Sequence, residues 1–190
     1  MTSMDESWTL RNGLKIHHRS VLAAMTNKQS HDDGCLSDNE INFLKRRAKG
    51  GFGIITTAAT HVQQSGQGWT GEMGVWGDHH IPGLTRLADG IREYGSKSFA
   101  QLFHGGMRSP SSLTGQQAVS ASENFISNSE GSSREMTLEE VNETIRCFAD
   151  AAKRCEDAGF DGVELHGAHG YLICLLYTSP SPRDVEECGV

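Results

Sequence analysis

The chain has 190 residues, with 17 Lys and Arg against 24 Asp and Glu and a formal net charge of −7. This acidic balance argues against a broad nucleic-acid surface, and no apolar run approaches the roughly 20 residues needed to span a bilayer. Its five cysteines are scattered without a C-x-x-C pair and no secretory signal opens the chain, so we expect a cytoplasmic protein with reduced thiols, no metal site, and no membrane or nucleic-acid partner.

Strands and helices are predicted to alternate along the chain. Asn12 and Gly13 stand between two alternating apolar stretches, a strong signal for a small N-terminal β-hairpin. Helices are predicted from capping-box spacing that begins at Ser37 and at Thr137, and from the apolar face of residues 79–94. A glycine ends each helix. The predicted strands, of which the first is expected to be buried, are residues 21–25, 52–57, 99–103 and 160–165.

This order predicts an α/β protein with a parallel sheet. An open doubly wound sheet and a (βα)8 barrel both fit the order. The doubly wound fold needs a glycine-rich phosphate loop after its first strand, but no glycine stands between Met25 and Gly34, which favours the barrel. In a barrel, the residues that follow each strand form the active face. Residues 109–135 form a long polar linker, and a surface loop and a lid over that face are equally good interpretations of it.

Two histidines and a tyrosine follow the fourth predicted strand, in His166-Gly-Ala-His169-Gly-Tyr171. The glycines allow a sharp turn, so both imidazoles can face one small volume and donate hydrogen bonds to a carbonyl oxygen. Tyr171 is a weak acid within reach of that volume and suits proton donation. The histidines could instead share a metal ion, although neither Glu164 nor Cys174 has a characteristic spacing as a third ligand. A further interpretation is that they only hydrogen-bond a turn.

Several other positions are candidates for the same face. Gln101, expected to be buried in the third strand, either makes a core hydrogen bond or recognises the edge of a planar, amide-like ring. Thr26 carries a hydroxyl group at a strand end, and Ala59 is small enough to let a ligand approach the backbone. His104 either joins the site or holds a loop. The histidines at residues 79–80 are interpreted as structural or solvated.

Together, these segments resemble the old yellow enzyme family of FMN-dependent ene-reductases and NADH:flavin oxidoreductases. The resemblance is collinear from about Leu10 to Ile173, and its last motif is the most specific. It implies the N-terminal portion, about four strands, of a (βα)8 TIM barrel preceded by a β-hairpin, with FMN across the C-terminal face. The motifs that carry it are Leu22-Ala-Ala-Met-Thr26, Gly51-Phe-Gly-Ile-Ile-Thr-Thr-Ala-Ala59, Gln101-Leu-Phe-His-Gly-Gly106 and Gly162-Val-Glu-Leu-His-Gly-Ala-His-Gly-Tyr-Leu-Ile173.

The resemblance also implies roles for individual residues. His166 and His169 would hold the oxygen of an α,β-unsaturated carbonyl compound, and Tyr171 would be the proton donor. Gln101 would bond the pyrimidine edge of the flavin. The other residues that would contact FMN are Ala23, Ala24, Met25, Thr26, Ala59 and His166.

The implied reaction transfers hydride from NADH or NADPH through FMN to the β-carbon of a small enone-type substrate, while the tyrosine protonates the α-carbon. The cofactor carries the redox chemistry, and the protein orients and polarises the substrate. We expect the whole protein to form a homo-oligomer.

The sequence departs from the family pattern at three places. Ala24 stands where the family usually has proline, Lys28 stands where many bacterial relatives have tyrosine, and the pattern stops after Ile173. We therefore expect residues 1–173 to be the N-terminal part of an FMN-binding barrel, residues 174–190 to be a non-native tail, and this chain alone to be inactive. The alternatives are an inactive half-barrel that serves as a binding module and a metal-dependent barrel hydrolase that uses the histidine pair.

Overall fold

The structure is a computed structural model that describes residues 3–4, 6–125 and 131–178. Its strands are β1 (Trp8–Thr9), β2 (Lys15–Ile16), β3 (Val21–Leu22), β4 (Ile54–His61), β5 (Met73–Gly74), β6 (Lys97–Phe103), β7 (Val119–Ser120), β8 (Asn124–Phe125), β9 (Ser132–Glu135) and β10 (Gly162–Leu165). Its α-helices are α1 (Asp38–Lys49), α2 (Ile81–Arg92), α3 (Ser111–Thr114), α4 (Leu138–Asp157) and α5 (Leu172–Thr178). Short 3-10 helices cover Gln64–Gly66, Asp78–His80 and Gly106–Arg108.

The main sheet is parallel and has the strand order β10-β6-β4-β3, with β5 added beside the end of β4. Helices α1, α2 and α4 connect β3, β4, β6 and β10 in chain order, so the predicted alternation is confirmed for these strands. The predicted hairpin is also confirmed, because β1 and β2 pair antiparallel with Trp8 opposite Ile16. Because the main strands are parallel, their carboxyl ends lie at one edge.

Helices α1, α2 and α4 pack against one face of the sheet. Their apolar residues recur at intervals of three or four, so each helix turns one stripe toward the strands. The side chains of β6 alternate accordingly, with Ala100 and Leu102 buried and Gln101 half-buried between them. The largest buried apolar residues of this core are Leu44, Ile55, Met73, Leu84, Leu87, Ile91 and Leu102.

The two predicted capping boxes have different outcomes. At α4 the box is complete, because Thr137 accepts from the backbone N–H of Glu140 and the Glu140 carboxylate accepts from the backbone N–H of Thr137. At α1 only Ser37 caps the helix. The Glu40 carboxylate turns into the protein, where it accepts hydrogen bonds from Asn27, at 2.8 Å, and from a serine hydroxyl group. The reciprocal half of the first box is therefore wrong.

The prediction of a buried first strand at residues 21–25 is also wrong. Strand β3 covers only Val21–Leu22, and Val21 and Met25 are 52 % and 61 % exposed. Exposure alternates along this segment because successive side chains point to opposite faces. Leu22 packs against the core, whereas its neighbours point away from the helices. Burial of this strand depends on what covers its second face, which a short apolar run does not reveal.

The linker at residues 109–135 contains secondary structure of its own. Strand β9 pairs in parallel with β7 and antiparallel with β8, so a small three-stranded sheet precedes α4. Residues 126–130 of the predicted loop lie outside the described residues. Among the helices that the structure describes, none combines the length and the apolar character that a membrane crossing requires.

Candidate active site

The carboxyl-terminal halves of three strands place three side chains in one row. Ala59 of β4 lies opposite Gln101 of β6, and Gln101 lies opposite Glu164 of β10. A register shift in β4 between Thr56 and Ala59 sets this alignment. At the shift, the Thr57 hydroxyl oxygen accepts a hydrogen bond from the backbone N–H of Gln101 at 3.1 Å. The row therefore lies near the carboxyl ends of the strands, which is where barrels bind ligands.

Gln101 is half-buried, so the expectation of full burial is wrong. Its Nε2 donates to Oε1 of Glu164 at 2.5 Å, which is the hydrogen bond to a neighbouring strand that one of the two interpretations required. An amide group has two N–H donors and one carbonyl acceptor. After this bond, Gln101 can still donate one N–H and accept through Oε1 toward a planar amide-like ring.

A loop anchored on the end of β6 carries the two histidines and the tyrosine. The backbone N–H of His166 donates to the Leu102 carbonyl at 2.9 Å, and that of Leu172 donates to the His104 carbonyl at 3.0 Å. Between these anchors, His169 has a φ of 60°, a left-handed conformation that is uncommon outside glycine. Such a conformation persists when the surrounding contacts fix it, and it is common in functional loops.

The rings of this loop form one cluster beside Phe103. The ring centroids of His166 and Tyr171 are 4.9 Å apart, those of the two histidines are 5.1 Å apart, and Tyr171 meets Phe103 edge-on at 4.5 Å. The Arg108 guanidinium lies 6.0 Å from the centre of the Tyr171 ring. The structure thus brings His166, His169 and Tyr171 together around one small volume.

Hydrogen bonds indicate the tautomers of the two imidazoles. The backbone N–H of Ala168 donates to Nδ1 of His166 at 3.4 Å, which places the His166 proton on Nε2. That Nε2 lies 3.4 Å from Nδ1 of His169, so His169 accepts there and carries its own proton on Nε2. Burial, followed by the charge of the neighbouring His169, lowers the pKa of His166 and favours its neutral form. The pair therefore offers two Nε2–H donors.

The sequence analysis named His104 but missed the buried polar group that this residue forms at the ends of β4 and β6. It consists of His61, Glu72 and His104, each 2 % exposed or less. Burial lowers the pKa of both histidines to about 4 and raises that of Glu72, which favours neutral forms of all three. Nδ1 of His104 accepts from the backbone N–H of Gly106 at 3.0 Å. His104 therefore holds the loop after β6, as one of its two interpretations proposed.

The remaining predicted residues lie in two places. The segment that follows β3 is exposed at Ala23, Met25 and Thr26 and half-buried at Ala24. It lies at the same edge as the histidine loop, but β4 and β6 separate it from β10. Ala59, in contrast, is 5 % exposed inside β4. The edge therefore carries an exposed segment at one side, the row at the centre and the ring cluster at the other side.

The geometry does not favour a metal ion at the histidine loop. Within residues 3–4, 6–125 and 131–178, no third His, Cys, Asp or Glu stands close enough to His166 and His169 to form a set of three ligands. Glu164, the acidic residue nearest in sequence, binds Gln101 instead.

Comparison with known proteins identifies the family. Residues 8–182 match the model of the NADH:flavin oxidoreductase / NADH oxidase family. The chain belongs to this family.

Two relatives show how much of a family member the chain represents. It is 36 % identical over 184 residues to "Probable NADH-dependent flavin oxidoreductase YqiG" of Bacillus subtilis (strain 168), which covers 97 % of this chain and 49 % of that protein. It is 37 % identical over 191 residues to "NADH:acrylate oxidoreductase" of Vibrio harveyi, which covers 100 % of this chain and 19 % of that protein. The chain therefore spans about half the length of YqiG and a smaller share of the second relative.

The fold agrees with that of a solved structure. The old yellow enzyme homologue from Zymomonas mobilis superimposes with a TM-score of 0.81 and 26 % identity, over 90 % of this chain and 50 % of that one. The predicted family, the partial (βα)8 barrel and the FMN and NAD(P)H cofactors of that family are thereby confirmed. A non-native tail at residues 174–190 stays a prediction, and residues 179–190 lie outside the described residues. The homo-oligomer and the cytoplasmic location also stay predictions.

Proposed function

We propose that this chain forms the N-terminal half of an NAD(P)H-dependent FMN ene-reductase that acts on α,β-unsaturated carbonyl compounds. The convergence of His166, His169 and Tyr171 beside Gln101, at the edge where barrels bind ligands, carries the proposal. Family membership and the likeness to "NADH:acrylate oxidoreductase", a protein whose named substrate is an α,β-unsaturated carboxylate, support it.

The row and the segment after β3 fit the ring system of FMN. A flavin ring is flat and ends in an edge of alternating carbonyl and N–H groups, which the half-buried amide of Gln101 complements with one donor and one acceptor. Ala59 adds no bulk beside Gln101, and Ala23 and Thr26 are exposed at the same edge. We propose that these residues, together with Ala24 and Met25, line the flavin. Bound FMN would supply hydride that originates from NAD(P)H.

The histidine pair is suited to hold the substrate oxygen. Both Nε2–H groups are available once a carbonyl oxygen replaces His169 as the acceptor for His166. Two donors on one oxygen stabilise the negative charge that develops there as hydride reaches the β-carbon. A neutral His166 donates without the larger desolvation cost of a cation in this half-buried position.

Tyr171 is placed to complete the reaction by protonating the α-carbon. Its ring packs edge-on against Phe103 and His166, which fixes the direction of the phenol group relative to the histidine donors. The Arg108 guanidinium lies 6.0 Å from the centre of the Tyr171 ring and adds a further contact to it. General acid catalysis of this kind typically contributes about 10²–10⁴ in rate.

The test separates the two halves of the reaction. We would replace residues 174–190 with the carboxyl-terminal part of YqiG, which continues the family fold beyond Ile173. This joined protein would be compared with the 190-residue chain for bound FMN and for NADH oxidation. In the joined protein, Tyr171→Phe should leave flavin reduction by NADH unchanged and slow the reoxidation by 2-cyclohexenone by roughly 100-fold or more. Stopped-flow absorbance of the flavin measures both steps.

Tyr94→Phe is the matched control. Tyr94 is 39 % exposed and lies just after α2, at the opposite end of the sheet, so both half-reactions should keep their rates. Equal losses in both half-reactions of the Tyr171 variant, or no loss in either, would contradict the proposed proton donor. A joined protein that holds no FMN would contradict the function itself.

A further inference from the structure

A second group of potential ligands lies away from the ring cluster, where two loops meet beside β5. Cys35 lies in the loop between β3 and α1, and His79 and His80 end the 3-10 helix that precedes α2. One ligand atom from each of the three residues lies within 4.8 Å of the other two. The sequence analysis expected no metal site and interpreted the two histidines as structural or solvated. It missed the group because Cys35 and His80 are 45 residues apart.

The distances are close to those of a metal site. Sγ of Cys35 lies 3.9 Å from Nδ1 of His80. In a tetrahedral zinc site, bonds of about 2.0–2.1 Å to nitrogen and about 2.3 Å to sulfur hold the donor atoms about 3.3–3.6 Å apart. His79 is exposed, and its ring centroid lies 3.9 Å from that of His80. The donor atoms of the three residues have to move closer together for a metal ion to bind.

His80 lacks the hydrogen bonds that a buried imidazole ordinarily makes. It is 3 % exposed, and its Nε2 has no hydrogen-bond partner among the described residues. A buried neutral imidazole normally pairs both nitrogens. The other ring nitrogen, Nδ1, lies toward the cysteine sulfur, so a metal ion would bind Nδ1 and leave Nε2 without a partner. A hydrogen bond between thiol and imidazole at 3.9 Å is long, whereas a metal ion between the two atoms would bind both strongly.

The surrounding backbone holds the group in place. The Gly34 carbonyl accepts from the backbone N–H of Gly74 at 2.9 Å, which fixes the Cys35 loop against β5. A Cβ atom on Gly74 would lie 2.9 Å from the His80 ring, so the glycine lets the imidazole lie directly on the strand. Trp76 packs edge-on against His80, with ring centroids 5.2 Å apart. Ligands that are held before the ion arrives bind it with a smaller entropy cost.

We propose that Cys35, His79 and His80 bind one zinc ion, with water in the fourth position. One sulfur and two imidazole nitrogens are a ligand set that zinc prefers. The proton of the Cys35 thiol passes to solvent as the sulfur binds. The Asp33 carboxylate, which accepts from the backbone N–H of Cys35 at 2.9 Å, contributes negative charge beside the ion. The zinc ion joins the loop after β3 to the start of α2 and so stabilises both.

Cobalt substitution tests this site directly. We would titrate the untagged, chelator-treated 190-residue chain with Co²⁺ and record the visible d–d bands of tetrahedral cobalt and the charge-transfer band of a cobalt–thiolate bond. Saturation at one equivalent and displacement by Zn²⁺ are expected. Cys35→Ser should abolish the thiolate band, and His79→Asn, at an exposed position that does not endanger folding, should weaken binding roughly 100-fold.

The control is Cys147→Ser on α4, a half-buried cysteine outside the group, which should bind Co²⁺ as the unchanged chain does. Zinc should also raise the Tm of the unchanged chain and of the Cys147 variant, but not that of the His79 variant. The proposal is overturned if no tetrahedral cobalt spectrum develops, or if the spectrum survives both Cys35→Ser and His79→Asn. Loss of the spectrum with His166→Ala instead would place the ion at the ring cluster and overturn it as well.

Discussion

Strands β4 and β10 lie in the same sheet. The last residue of β4 is a histidine and a histidine directly follows β10, but the surroundings of the two strands differ. Seven of the eight residues of β4 are buried, and its last residue, His61, is 2 % exposed. The four residues of β10 are half-buried or exposed, and the following His166 is half-buried. Strand β4 has β3 and β6 on its two sides, whereas β10 stands at the end of the described strand order. In this chain the centre of the sheet is therefore buried, whereas β10 and the loop that follows it are partly exposed.

The chemistry of the histidines follows from this difference. Burial lowers the pKa of His61 to about 4, and that ring is enclosed by the protein. Burial, with His169 contributing, also lowers the pKa of His166, but its Nε2 lies 3.4 Å from Nδ1 of His169 in a half-buried loop. The same residue type is enclosed by the protein at one strand end, and at the other it lies with His169 and Tyr171 in the ring cluster.

The largest expected effect is a loss of stability in the buried centre of the sheet. Leu102 in β6 is fully buried in the core, whereas Leu165 in β10 is 60 % exposed. Leu102→Ala should lower the free energy of unfolding by about 2–5 kcal/mol, because it removes buried contacts and leaves a cavity. Leu165→Ala should change it by less than about 0.5 kcal/mol. Urea unfolding of the two variants, followed by circular dichroism, measures both values.

The pair of variants is its own control, since the same atoms are removed from both strands. Similar losses at the two positions would mean that β10 is covered in solution. In that case the contrast between a buried centre and an accessible side would be wrong.

Local patterns predicted the elements whose causes are local. The capping box at Thr137 and the apolar repeat after it placed a helix that ends before Gly159, and α4 spans Leu138–Asp157. The Asn12–Gly13 turn likewise placed the β1–β2 hairpin. The prediction that residues 21–25 are buried was wrong, because their burial depends on which elements cover the strand. A single sequence does not contain that information in one short window.

The candidate site divides in the same way. His166, His169 and Tyr171 lie within one loop, so their proximity was visible in the sequence. The hydrogen bond between Gln101 and Glu164 joins residues 63 positions apart and could be found only after the strands were aligned. The same holds for the buried group of His61, Glu72 and His104 and for the group of Cys35, His79 and His80. Their members come from separate strands and loops, and their types are unremarkable one by one.

A smaller effect is the pH dependence of the stability that buried His104 contributes. Burial lowers the pKa of His104 to about 4, while the unfolded chain has the ordinary value of about 6.5. Between these values the unfolded state binds the proton and the folded state does not. The contribution of His104 to stability is therefore complete above pH 6.5 and is lost as the pH falls toward 4. At pH 5 the loss is about 2 kcal/mol.

His104→Asn tests this contribution, because asparagine can still accept from the backbone N–H of Gly106 but does not titrate. The variant should lose about 2 kcal/mol less than the unchanged chain between pH 7 and pH 5, as measured by urea unfolding at each pH. Leu102→Ala is the control, since it destabilises the fold without removing a titratable group and should keep the original pH dependence. If the pH dependence of His104→Asn equals that of the unchanged chain, burial does not lower the pKa of His104 and this prediction is wrong.

The smallest effect concerns α4, the helix that leads into β10. Thr137→Ala removes the hydroxyl oxygen that accepts from the backbone N–H of Glu140 at 3.2 Å, and should cost about 1 kcal/mol. Thr85→Ala inside α2 is the matched control. There the hydroxyl group donates to the Ile81 carbonyl at 3.0 Å, and alanine favours helix more than threonine does, so little or no loss is expected.

Amide hydrogen exchange locates the cost of the missing cap. Protection should fall in the first turn of α4 in Thr137→Ala, while the amides of β4 keep theirs, because the centre of the sheet does not depend on this cap. The Glu140 carboxylate also pairs with Arg134 of β9 at 2.8 Å, so the loss should extend to the small sheet that precedes the helix. Equal losses of protection in β4 would show that α4 and the centre of the sheet unfold as one unit, which would contradict the expected difference in local stability.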